Sequence, residues 1–545
     1  MGTGNSKEKG SKNGDKNDDV IEGVVCQESD LKENEMKAFE VGDHGKILVV
    51  RQKGQIYAVG NKCTHYGAPL HTGALGDGHV RCPWHGACFN LATGDIEDFP
   101  GLDSLPCFKV EVQKDGGVKV QGSLSMLKTG RRQKCMATFD KGDERTFVVV
   151  GGGPAAQVCA ETLRQDGFKG TLIMLSKEQV IPYDRIKLSK ILDASPEKLA
   201  LRSADFYKDN NIELKLGTEL LNLDATNKVA HLSSGEKINY DSIFLATGSR
   251  PRPLSVSGSN LKNIFVLRNV DDANAIAKEI KEDKNVVIIG ASFIGMECAA
   301  YCVGKAKSVT VVGRGAAPFV PVLGSQIGGQ IMKWFAEKGI TFCMDTDVVE
   351  VLPNEVDSSS VGALKLANDQ ILSADIVVVG IGAIANTDYL KDAGVELGKG
   401  GTVPVNEFLE TNVPGVFAGG DIAFAPVLGT VAAIGHWQLA HYHGRIGGRN
   451  MLGKKEPLKT VPFFWTMLFN KGIRYAGYAP DFDDVVLHGN LEELKFIAYY
   501  CKNNSVLAVA TCGNDPVAAQ FAELLSSGKS ITKDDIQNNP TAWIK

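Results

Sequence analysis

Two different patterns of apolar and polar residues divide the chain. Between residue 21 and about residue 125, short segments that alternate apolar and polar positions are separated by glycine-rich turns, which predicts a small all-β unit. From Thr146 onward, an apolar strand, a glycine loop and a helix follow one another twice, which predicts parallel sheets covered by helices. The clearest strands predicted in the first region are Lys46–Arg51, Gln55–Val59, Phe108–Val112 and Val118–Gln121. The sequence thus predicts an all-β region followed by an α/β region.

Length and composition narrow the possible functions. With 545 residues, of which 43% are hydrophobic, the chain can form about three or four domains. Its net charge of −5, without basic stretches interleaved with aromatic residues, argues against nucleic-acid binding. Twelve cysteines without a disulfide-type spacing indicate a reducing compartment, and no apolar run has the length of a membrane span. We therefore expect an intracellular protein that does not cross a membrane.

The most informative motif lies in the all-β region. Cys63-Thr-His65-Tyr-Gly and Cys82-Pro-Trp-His85-Gly supply two thiolates and two imidazoles in matched pairs. This is a Rieske signature, in which two cysteines bind one iron of a [2Fe–2S] cluster and two histidines bind the other. The same four residues would also suit a Cys₂His₂ zinc site. Zinc does not require the glycine and proline residues beside both pairs, so the pattern favours the cluster.

The first dinucleotide motif follows the apolar strand Phe147–Val150 and precedes a helix predicted over Val158–Gln165. It has the form G-x-G-x-x-A, with Gly151, Gly153 and Ala156 at the defining positions. The first glycine permits the turn, the second lets the backbone approach a pyrophosphate, and the helix N-terminus presents amide dipoles to it. A lone glycine motif is weak evidence, so its value depends on the strands that accompany it.

Two later strand ends support a flavin site. Leu245-Ala-Thr247-Gly248 and Val416-Phe-Ala-Gly-Gly-Asp421 each end an apolar strand, and an acid after such a strand can bond the ribitol or phosphate region of FAD. The acid expected to bond the adenosine ribose is displaced to Glu178, after Ser176 and Lys177. We predict that FAD also contacts Thr247, Gly248, Asp421 and Glu178.

The second dinucleotide motif follows strand Asn285–Ile289 and reads Gly290-Ala-Ser292-Phe-Ile-Gly295. Its partner strand, Ser308–Val312, ends in Gly313-Arg314, where an NADH-specific site would carry an acid. The missing acid removes repulsion of a 2′-phosphate, and Arg314 could pair with that phosphate. We therefore expect NADPH rather than NADH as the preferred donor. The alternative is that Arg314 stacks on the adenine or points into solvent.

Residues 145–545 resemble the two-dinucleotide flavoprotein reductases of the glutathione reductase superfamily, closest to ferredoxin reductases and apoptosis-inducing factor. Pro182-Tyr-Asp-Arg185-Ile-Lys-Leu-Ser-Lys190 is similar to the flavin segment Pro-Tyr-x-Arg-Pro-x-Leu-Ser-Lys of that superfamily, although Ile186 replaces a proline. With the Rieske motif in front, nearly the whole chain resembles the apoptosis-inducing factor 3-like proteins. The segments that carry this further resemblance are Gly290–Gly295, Gly435-His-Trp437-Gln and Pro462-Phe-Phe-Trp465.

The resemblance implies roles for particular residues. Arg185 and Lys190 would lie along the flavin, Lys190 would pair with Glu297 near the isoalloxazine, and Trp437 would stand where the nicotinamide arrives. From the sequence alone, Lys190 and Glu297 would be ordinary charges on helix surfaces. Trp437 and Trp465 would be large packing residues even if they also border the ring.

The cysteines that are missing narrow the reaction. Disulfide reductases of this superfamily use an active-site cysteine pair, but neither C-x-x-C nor C-x₄-C occurs near the first flavin helix or in the nicotinamide unit. Cys298 and Cys302 share one face of a predicted helix and are expected to be packed. Respiratory Rieske proteins add a disulfide between the ligand loops, but Ala68 and Trp84 stand at the corresponding places. A ferredoxin-like cluster is expected, in the lower part of the Rieske range of about −150 to +300 mV.

The predicted fold class is a multidomain protein. An all-β Rieske domain precedes an α/β flavoprotein with two dinucleotide-binding domains of glutathione reductase type and an α+β C-terminal domain, helical over Val517–Ser526. The predicted boundaries are a tail at 1–20, the Rieske domain at 21–125, a linker at 126–144, the FAD-binding domain at 145–265 and 386–460, the NAD(P)-binding domain at 266–385 and the C-terminal domain at 461–545.

The predicted function is an FAD-dependent oxidoreductase that passes electrons from NAD(P)H through FAD to its own Rieske [2Fe–2S] cluster and on to an unknown one-electron acceptor. One alternative, which the family name suggests, is a pro-apoptotic regulatory flavoprotein with little turnover. A third hypothesis is a terminal Rieske oxygenase, which requires a mononuclear iron held by two histidines and a carboxylate. His441 and His443 would be its histidines, but they fall on a presumed helix of the flavin domain.

The N-terminus predicts an association with membranes. Met1-Gly2-Thr3-Gly4-Asn5-Ser6 fits the myristoylation pattern, and lysines follow it. One acyl chain binds a membrane only weakly without a second signal; the alternative is a disordered polar tail. The expected location is the cytoplasm with weak membrane association through Gly2, and the resemblance adds mitochondrial association. It also implies a homodimer formed through residues of about 460–545.

Overall fold

The computed structural model describes residues 19–544 and divides into two compact units. Within the described residues, the first unit comprises residues 19–82, 87–97 and 101–134. The second comprises residues 83–86, 98–100 and 135–544. The predicted acylation site at Gly2 lies outside the described residues. Among the helices of residues 19–544, none is both long and apolar enough for a bilayer span.

The first unit is all-β, as predicted. Its main sheet is antiparallel and packs Ile47, Val49, Ala58, Phe108 and Val120 into one core. The strands of this sheet, in spatial order, are Val20–Gln27, Gly117–Ser123, Cys107–Val112, Gln55–Gly60, Lys46–Gln52 and Glu35–Glu40. The four predicted strands are thus confirmed to within two residues at either end.

A second, smaller sheet accompanies the cluster loops. Its four short strands are Ala74–Leu75, His79–Arg81, Cys88–Asn90 and Ile96–Asp98. The first predicted ligand loop follows strand Gln55–Gly60, and the second connects His79–Arg81 to Cys88–Asn90. The helix Leu124–Thr129 lies at the start of the predicted linker; the Ser123 hydroxyl accepts a hydrogen bond from the Met126 amide at 3.1 Å and caps it.

The second unit begins with a parallel sheet of the doubly wound type. Its strands, in spatial order, are Ile212–Lys215, Thr171–Leu175, Thr146–Val150, Ser242–Leu245 and Val416–Ala418. The helix Pro154–Gln165 follows the central strand and packs against the helix Trp437–Met451. The close approach of these helices requires Gly444, because a Cβ there would lie 2.2 Å from the carbonyl oxygen of Ala155.

A second parallel sheet is inserted between two strands of the first. Its strands, in spatial order, are Ile264–Val266, Ile376–Val379, Asn285–Ile289, Ser308–Val312 and Ile340–Cys343. Its helices are Val270–Glu279, Phe293–Cys302, Val320–Leu323 and Ser325–Glu337. The sheet takes in Ile264 and Phe265, so the inserted domain starts before residue 266, where the sequence analysis had placed the boundary. The insertion explains why the flavin domain is predicted in two segments.

Small antiparallel sheets complete the two dinucleotide domains. Their strands are Leu220–Asp224, Val229–Leu232 and Lys237–Asn239; Val348–Pro353, Val361–Leu366 and Ile371–Ser373; and the pair Ser249–Pro251 and Ala383–Ala385. A mixed sheet contains Val403–Pro404, Ala423–Val427 and Thr430–Ala432, and two short helices span Pro196–Leu199 and Ala204–Asp209.

The C-terminal region is α+β, as predicted. Its antiparallel strands, in spatial order, are Phe463–Leu468, Lys471–Gly477, Ser505–Cys512, Lys495–Lys502 and Asp484–Asn490. The helix Val517–Ser526 has the predicted bounds, and the shorter helix Lys533–Gln537 follows it. Residues of this sheet and of the inserted domain share one hydrophobic core, including Phe496, Tyr500 and Phe335.

Candidate functional site

The two predicted cluster loops have the same backbone form. The Cys63 amide donates to the Ala68 carbonyl at 2.9 Å, and the Cys82 amide donates to the Ala87 carbonyl at 2.8 Å. Each loop therefore closes on the residue five positions after its cysteine. A glycine with positive φ precedes each closing residue, at +78° for Gly67 and +77° for Gly86. The motif glycines serve this turn, because φ values in the left-handed region favour glycine.

The two cysteines of the motif lie together. Cys63 is 4% exposed and Cys82 is fully buried. The pKa of the Cys63 thiol is raised, first by its hydrogen bond with the Cys82 thiol and then by burial. A metal ion reverses this preference, because a coordinating thiol is deprotonated. Two contacting buried thiols at the tips of matched loops fit a group that binds two thiolates on one iron.

The two histidines of the motif have aromatic neighbours. The His65 ring stacks on Tyr66 with centroids 3.8 Å apart. In the second unit, the centroid of the His85 ring lies 4.4 Å from that of Trp465. Ala68 and Trp84 stand where a respiratory Rieske protein would carry its additional cysteines, and no disulfide joins any of the twelve cysteines, all of which lie within residues 19–544. The ferredoxin-like character of the cluster stays a prediction.

The first glycine motif has the geometry of a dinucleotide loop. Gly151 has a φ of +138°, and a Cβ there would lie 2.2 Å from the Ala246 carbonyl oxygen. Gly153 is the N-cap of the helix that begins at Pro154, and Ala156, in the first turn of this helix, is fully buried. The helix starts four residues before the predicted Val158, since proline suits the first helical position.

The other predicted flavin residues lie at the same edge of the sheet. Strands Thr146–Val150, Ser242–Leu245 and Val416–Ala418 are neighbours and parallel, so their carboxyl ends bring together Gly151, Gly248 and Asp421. The Thr247 hydroxyl donates to the Asn386 carbonyl at 2.6 Å and ties this edge to the returning chain. The sequence correctly predicted the strands that assemble this edge.

Glu178 and Arg185 hold each other. The Arg185 Nη2 donates to the Glu178 Oε1 at 2.5 Å, and the Tyr183 hydroxyl donates to the Glu178 Oε2 at 2.7 Å. Tyr183 is 1% exposed, and burial raises the pKa of its hydroxyl. The ion pair fixes two residues that were predicted separately to touch FAD. Contact between Glu178 and the ribose stays a prediction.

Asp421 has two partners that the sequence analysis missed. The Ser249 hydroxyl donates to its Oδ2 at 2.8 Å, and the Arg268 Nη2 donates to the same oxygen at 3.0 Å. Arg268 directly precedes a helix that Asn269 and Asp272 cap reciprocally. This capping box could have marked the helix start from the sequence. Nothing in the sequence pairs Arg268 with an acid 153 positions away.

The predicted pair of Lys190 and Glu297 is present and partly buried. The Lys190 Nζ lies 2.8 Å from the Glu297 Oε2, and Glu297 is 7% exposed. The Ser189 hydroxyl donates to the same oxygen, while the Thr466 hydroxyl donates to Oε1 at 2.7 Å. Glu297 is therefore not the exposed helical charge that its sequence position alone suggests. Ser189 and Thr466 went unrecognised in the sequence, and they fix the carboxylate that holds Lys190.

The Thr466 contact makes a stability prediction. We expect Thr466→Val to lower the free energy of unfolding by about 1–3 kcal/mol, because a buried carboxylate oxygen loses its hydroxyl donor. Urea denaturation would show a lower midpoint with an unchanged slope. The matched control is Thr511→Val, since Thr511 is fully buried and its hydroxyl has no hydrogen-bond partner within residues 19–544. Equal midpoints for the two variants would refute the role of Thr466.

The helix Trp437–Met451 carries three residues from competing hypotheses. Trp437 is its first residue, and the centroid of the Trp437 ring lies 4.9 Å from that of His441. The His443 Nδ1 accepts the Gly420 amide at 3.2 Å, and burial lowers the pKa of His443 to about 4. His443 therefore supports the backbone next to Asp421. The Nδ1 atom of His443 is thus already used, and side chains two positions apart on a helix point in different directions. Both facts disfavour an oxygenase iron site formed by His441 and His443.

The second glycine motif is also built for close backbone approach. A Cβ at Gly290 would lie 2.2 Å from the Gly380 carbonyl oxygen, and one at Gly295 would lie 2.0 Å from the Gly290 carbonyl oxygen. Ser292 stands at the N-cap of the following helix. Arg314 forms an ion pair with Asp347, a partner that the sequence analysis missed. The preference for NADPH stays a prediction.

Cys298 and Cys302 are packed, as expected. Both are fully buried in the core of the inserted domain. Burial raises the pKa of the Cys302 thiol to about 12 and also raises that of Cys298. Thiolates, rather than thiols, are the reactive species in dithiol chemistry. The two residues therefore lack the properties of a redox-active pair.

Comparison with known proteins assigns the class. Residues 145–444 match the family of pyridine nucleotide-disulphide oxidoreductases, residues 22–109 match the Rieske [2Fe-2S] domain, and residues 463–542 match the reductase C-terminal domain. A ferredoxin reductase from Rhodopseudomonas palustris superposes with a TM-score of 0.69 at 27% identity, covering 73% of this chain and 98% of its own. Putidaredoxin reductase, in its covalent complex with putidaredoxin, gives 0.69 at 27% identity, covering 72% and 96%.

Full-length relatives are more similar. Apoptosis-inducing factor 3 of Homo sapiens is 43% identical over 530 residues, covering 95% of this chain and 86% of the relative; that of Mus musculus is 42% identical over 527 residues, with the same coverage. The chain belongs to the pyridine nucleotide-disulphide oxidoreductase family, with apoptosis-inducing factor 3 among its homologues. It is an NAD(P)H-dependent flavoprotein oxidoreductase with a Rieske [2Fe–2S] domain, and its cofactors are FAD, NAD(P)H and the cluster. The zinc alternative is therefore wrong.

Proposed function

We propose that this protein passes electrons from NAD(P)H through FAD to the Rieske cluster of the same chain and on to a one-electron acceptor. FAD supplies the exchange between a two-electron hydride donor and a one-electron carrier. The observation that carries the proposal is the presence in one chain of a Rieske domain, which contains the four predicted cluster ligands, and of a reductase whose buried Cys298 and Cys302 lack dithiol character. With no cysteine pair to receive the electrons, the cluster is the acceptor within the chain.

A row of rings in the second unit supports this route. The centroid of the Trp465 ring lies 4.4 Å from that of His85 and 5.5 Å from that of His436. Next to His436 is Gly435, where a Cβ would lie 3.6 Å from the Asp421 carboxyl carbon. Aromatic side chains thus run from a predicted cluster ligand toward the edge predicted to hold the flavin. This gives Trp465 a role in addition to packing.

The charged residues predicted to lie beside the flavin are held in place by neighbouring side chains. Ser189 and Thr466 fix Glu297, Glu297 holds Lys190, and Glu178 holds Arg185. Fixed donors and charges do not have to reorganise during the reaction. We propose that Lys190 presents its ammonium group to the isoalloxazine and that Trp437 borders the place where nicotinamide arrives.

Comparison with a relative supports an internal acceptor. Putidaredoxin reductase has been crystallised joined covalently to putidaredoxin, a separate protein. In the present chain a Rieske domain precedes the reductase. We propose that this fusion replaces the encounter with a separate partner, so that the effective concentration of the cluster is set by the chain.

The experiment is an anaerobic titration of the holoprotein with NADPH, followed by electron paramagnetic resonance. We expect the signal of a reduced Rieske cluster once NADPH is in excess, without a chemical reductant. If NADPH bleaches the flavin while the cluster signal appears only after dithionite is added, the proposed route is wrong. The titration is repeated with NADH. A flavin that NADPH does not reduce but NADH does would mean that NADPH is the wrong donor, whereas a reduced flavin beside an oxidised cluster would mean that internal transfer fails.

A second candidate function is a regulatory role in cell death, supported by the name of the homologues, apoptosis-inducing factor 3. A regulator that works without electron transfer would retain its effect in cells after Cys63→Ser. Loss of the effect in this variant would show that it depends on the cluster.

We also propose that an acylated Gly2 gives weak membrane association, which mass spectrometry of the native N-terminus tests. We propose further that the C-terminal domain forms a homodimer, which light scattering tests.

A further inference from the structure

The nucleotide-binding end of strand Ser308–Val312 departs from the usual pattern. The residue after this strand normally carries the acid that bonds the adenosine ribose of NADH, but this chain has Gly313. A Cβ at Gly313 would lie 2.8 Å from the Met344 Cε and 3.1 Å from the Ala291 Cβ. An acidic side chain at this position would lie tightly against Ala291 and would require the end of the Met344 side chain to move. Because Gly313 has no side chain, neighbouring residues have to recognise the 2′ group of the adenosine ribose.

Backbone hydrogen bonds join this strand end to the next one. The Gly313 amide donates to the Cys343 carbonyl at 3.0 Å, the Thr346 amide donates to the Gly313 carbonyl at 3.2 Å, and the Asp345 amide donates to the Gly315 carbonyl at 3.2 Å. The loops after strands Ser308–Val312 and Ile340–Cys343 thus form one connected structure. This structure carries Arg314 on one side and Asp347 on the other.

Asp347 is held by two different donors. Its Oδ1 accepts the Val348 amide at 3.1 Å, and its Oδ2 accepts the Arg314 Nε at 2.8 Å. The Arg314 Nη2 lies 2.6 Å from the same Oδ2. The side chain of Arg314 is 81% exposed and that of Asp347 is 38% exposed, so the pair is open to a ligand. An exposed ion pair of this kind contributes little to the free energy of unfolding. Its charges therefore matter mainly for a ligand that binds beside it.

We propose that Asp347 is a specificity-determining residue for the nucleotide donor. Its carboxylate holds Arg314 and offsets the guanidinium charge at the place where NADPH would bring a 2′-phosphate. The 2′-phosphate of NADPH would be attracted by Arg314 and repelled by Asp347. The 2′-hydroxyl of NADH is uncharged, so the net charge of the pair affects it much less. Asp347 therefore limits the advantage that Arg314 alone would give to NADPH. The proposal rests on the use of NAD(P)H and is independent of where the electrons go afterwards.

The test measures the kinetics of both donors with ferricyanide as acceptor. We expect Asp347→Asn to raise the ratio of kcat/KM for NADPH to kcat/KM for NADH about five- to tenfold, the effect of one charge on a doubly charged group about 7 Å away in water. The change should fall on KM for NADPH rather than on kcat, and it should shrink as salt is added. Arg314→Ala should lower the ratio, and adding Asp347→Asn to Arg314→Ala should raise it again, because the Asp347 carboxylate repels the 2′-phosphate whether or not Arg314 is present.

The matched control is Asp369→Asn. Asp369 is an exposed acid of the same domain, paired with Lys365 at 3.4 Å, and its replacement changes the net charge equally. The control should leave the donor ratio at the wild-type value. An equal rise in both variants, or an unchanged KM for NADPH in Asp347→Asn, would overturn the proposal. Because ferricyanide reports NAD(P)H oxidation whether or not the cluster is used, failure of the internal route does not affect the reading.

Discussion

Cys63→Ser should lose the Rieske cluster and keep FAD. Its rate of electron transfer to one-electron protein acceptors should fall by more than about a hundredfold, because the loss of a residue that only supports a metal ligand already costs up to about that factor. Cys63 supplies one of two contacting buried thiols, and a serine hydroxyl does not replace a thiolate on iron. The loop itself should persist, because the Cys63 amide bonds Ala68 through the backbone. Iron and sulfide analysis, flavin absorbance and anaerobic assays with cytochrome c measure the three effects.

The matched control is Cys107→Ser. The Cys107 thiol donates to the Ala92 carbonyl at 3.3 Å, and a serine hydroxyl can make the same bond. This variant should keep its cluster and its rate with cytochrome c. A Cys63→Ser protein that retains stoichiometric iron would contradict the assignment of Cys63 as a ligand. A protein that loses the cluster but retains the wild-type rate with cytochrome c would show that electrons leave directly from the flavin.

Gly151→Ala should yield protein with little bound FAD and a lower thermal midpoint. A Cβ at this position would lie 2.2 Å from the Ala246 carbonyl oxygen, and the φ of +138° is unfavourable for alanine. The turn between strand Thr146–Val150 and helix Pro154–Gln165 has to shift, and the helix N-terminus moves with it. Absorbance gives the ratio of FAD to protein, and calorimetry gives the thermal midpoint.

Gly153→Ala provides the comparison. Gly153 has an ordinary φ of −99°, and a Cβ there meets no atom within 4 Å. The folded apoprotein should therefore be as stable as the wild type. FAD affinity should still fall, because the added methyl group occupies the space through which the backbone approaches the pyrophosphate. Full FAD occupancy in both variants would contradict the placement of the cofactor at this loop.

The sequence was most informative where function depends on local backbone form. Both glycine motifs and both cluster loops were predicted because their glycines serve turns that only a few residues can make. The Lys190–Glu297 pair followed only from the family motif, since charges on predicted helices are usually exposed. Its burial depends on the insertion of one domain into another, which residue periodicity does not reveal.

Contacts between distant segments were not predictable. Thr466 reaches Glu297 across 169 positions, and Arg268 reaches Asp421 across 153. Neither pair has a sequence pattern, because each depends on how separate sheets pack. The small sheet beside the cluster loops was also missed, since strands of two or three residues are too short to show alternation. Arg314 and Asp347 follow adjacent strands of the second parallel sheet. Their pairing could be predicted only if the order of the strands in that sheet were known.

The most direct test of the central claim is rapid mixing of the oxidised holoprotein with NADPH under anaerobic conditions. The flavin and cluster absorbances are followed separately, with Cys63→Ser supplying the flavin signal alone. We predict that the flavin bleaches first and that the cluster bleaches in a later phase, without added acceptor. A cluster that stays oxidised while the flavin is reduced and turns over with ferricyanide would contradict transfer within the chain.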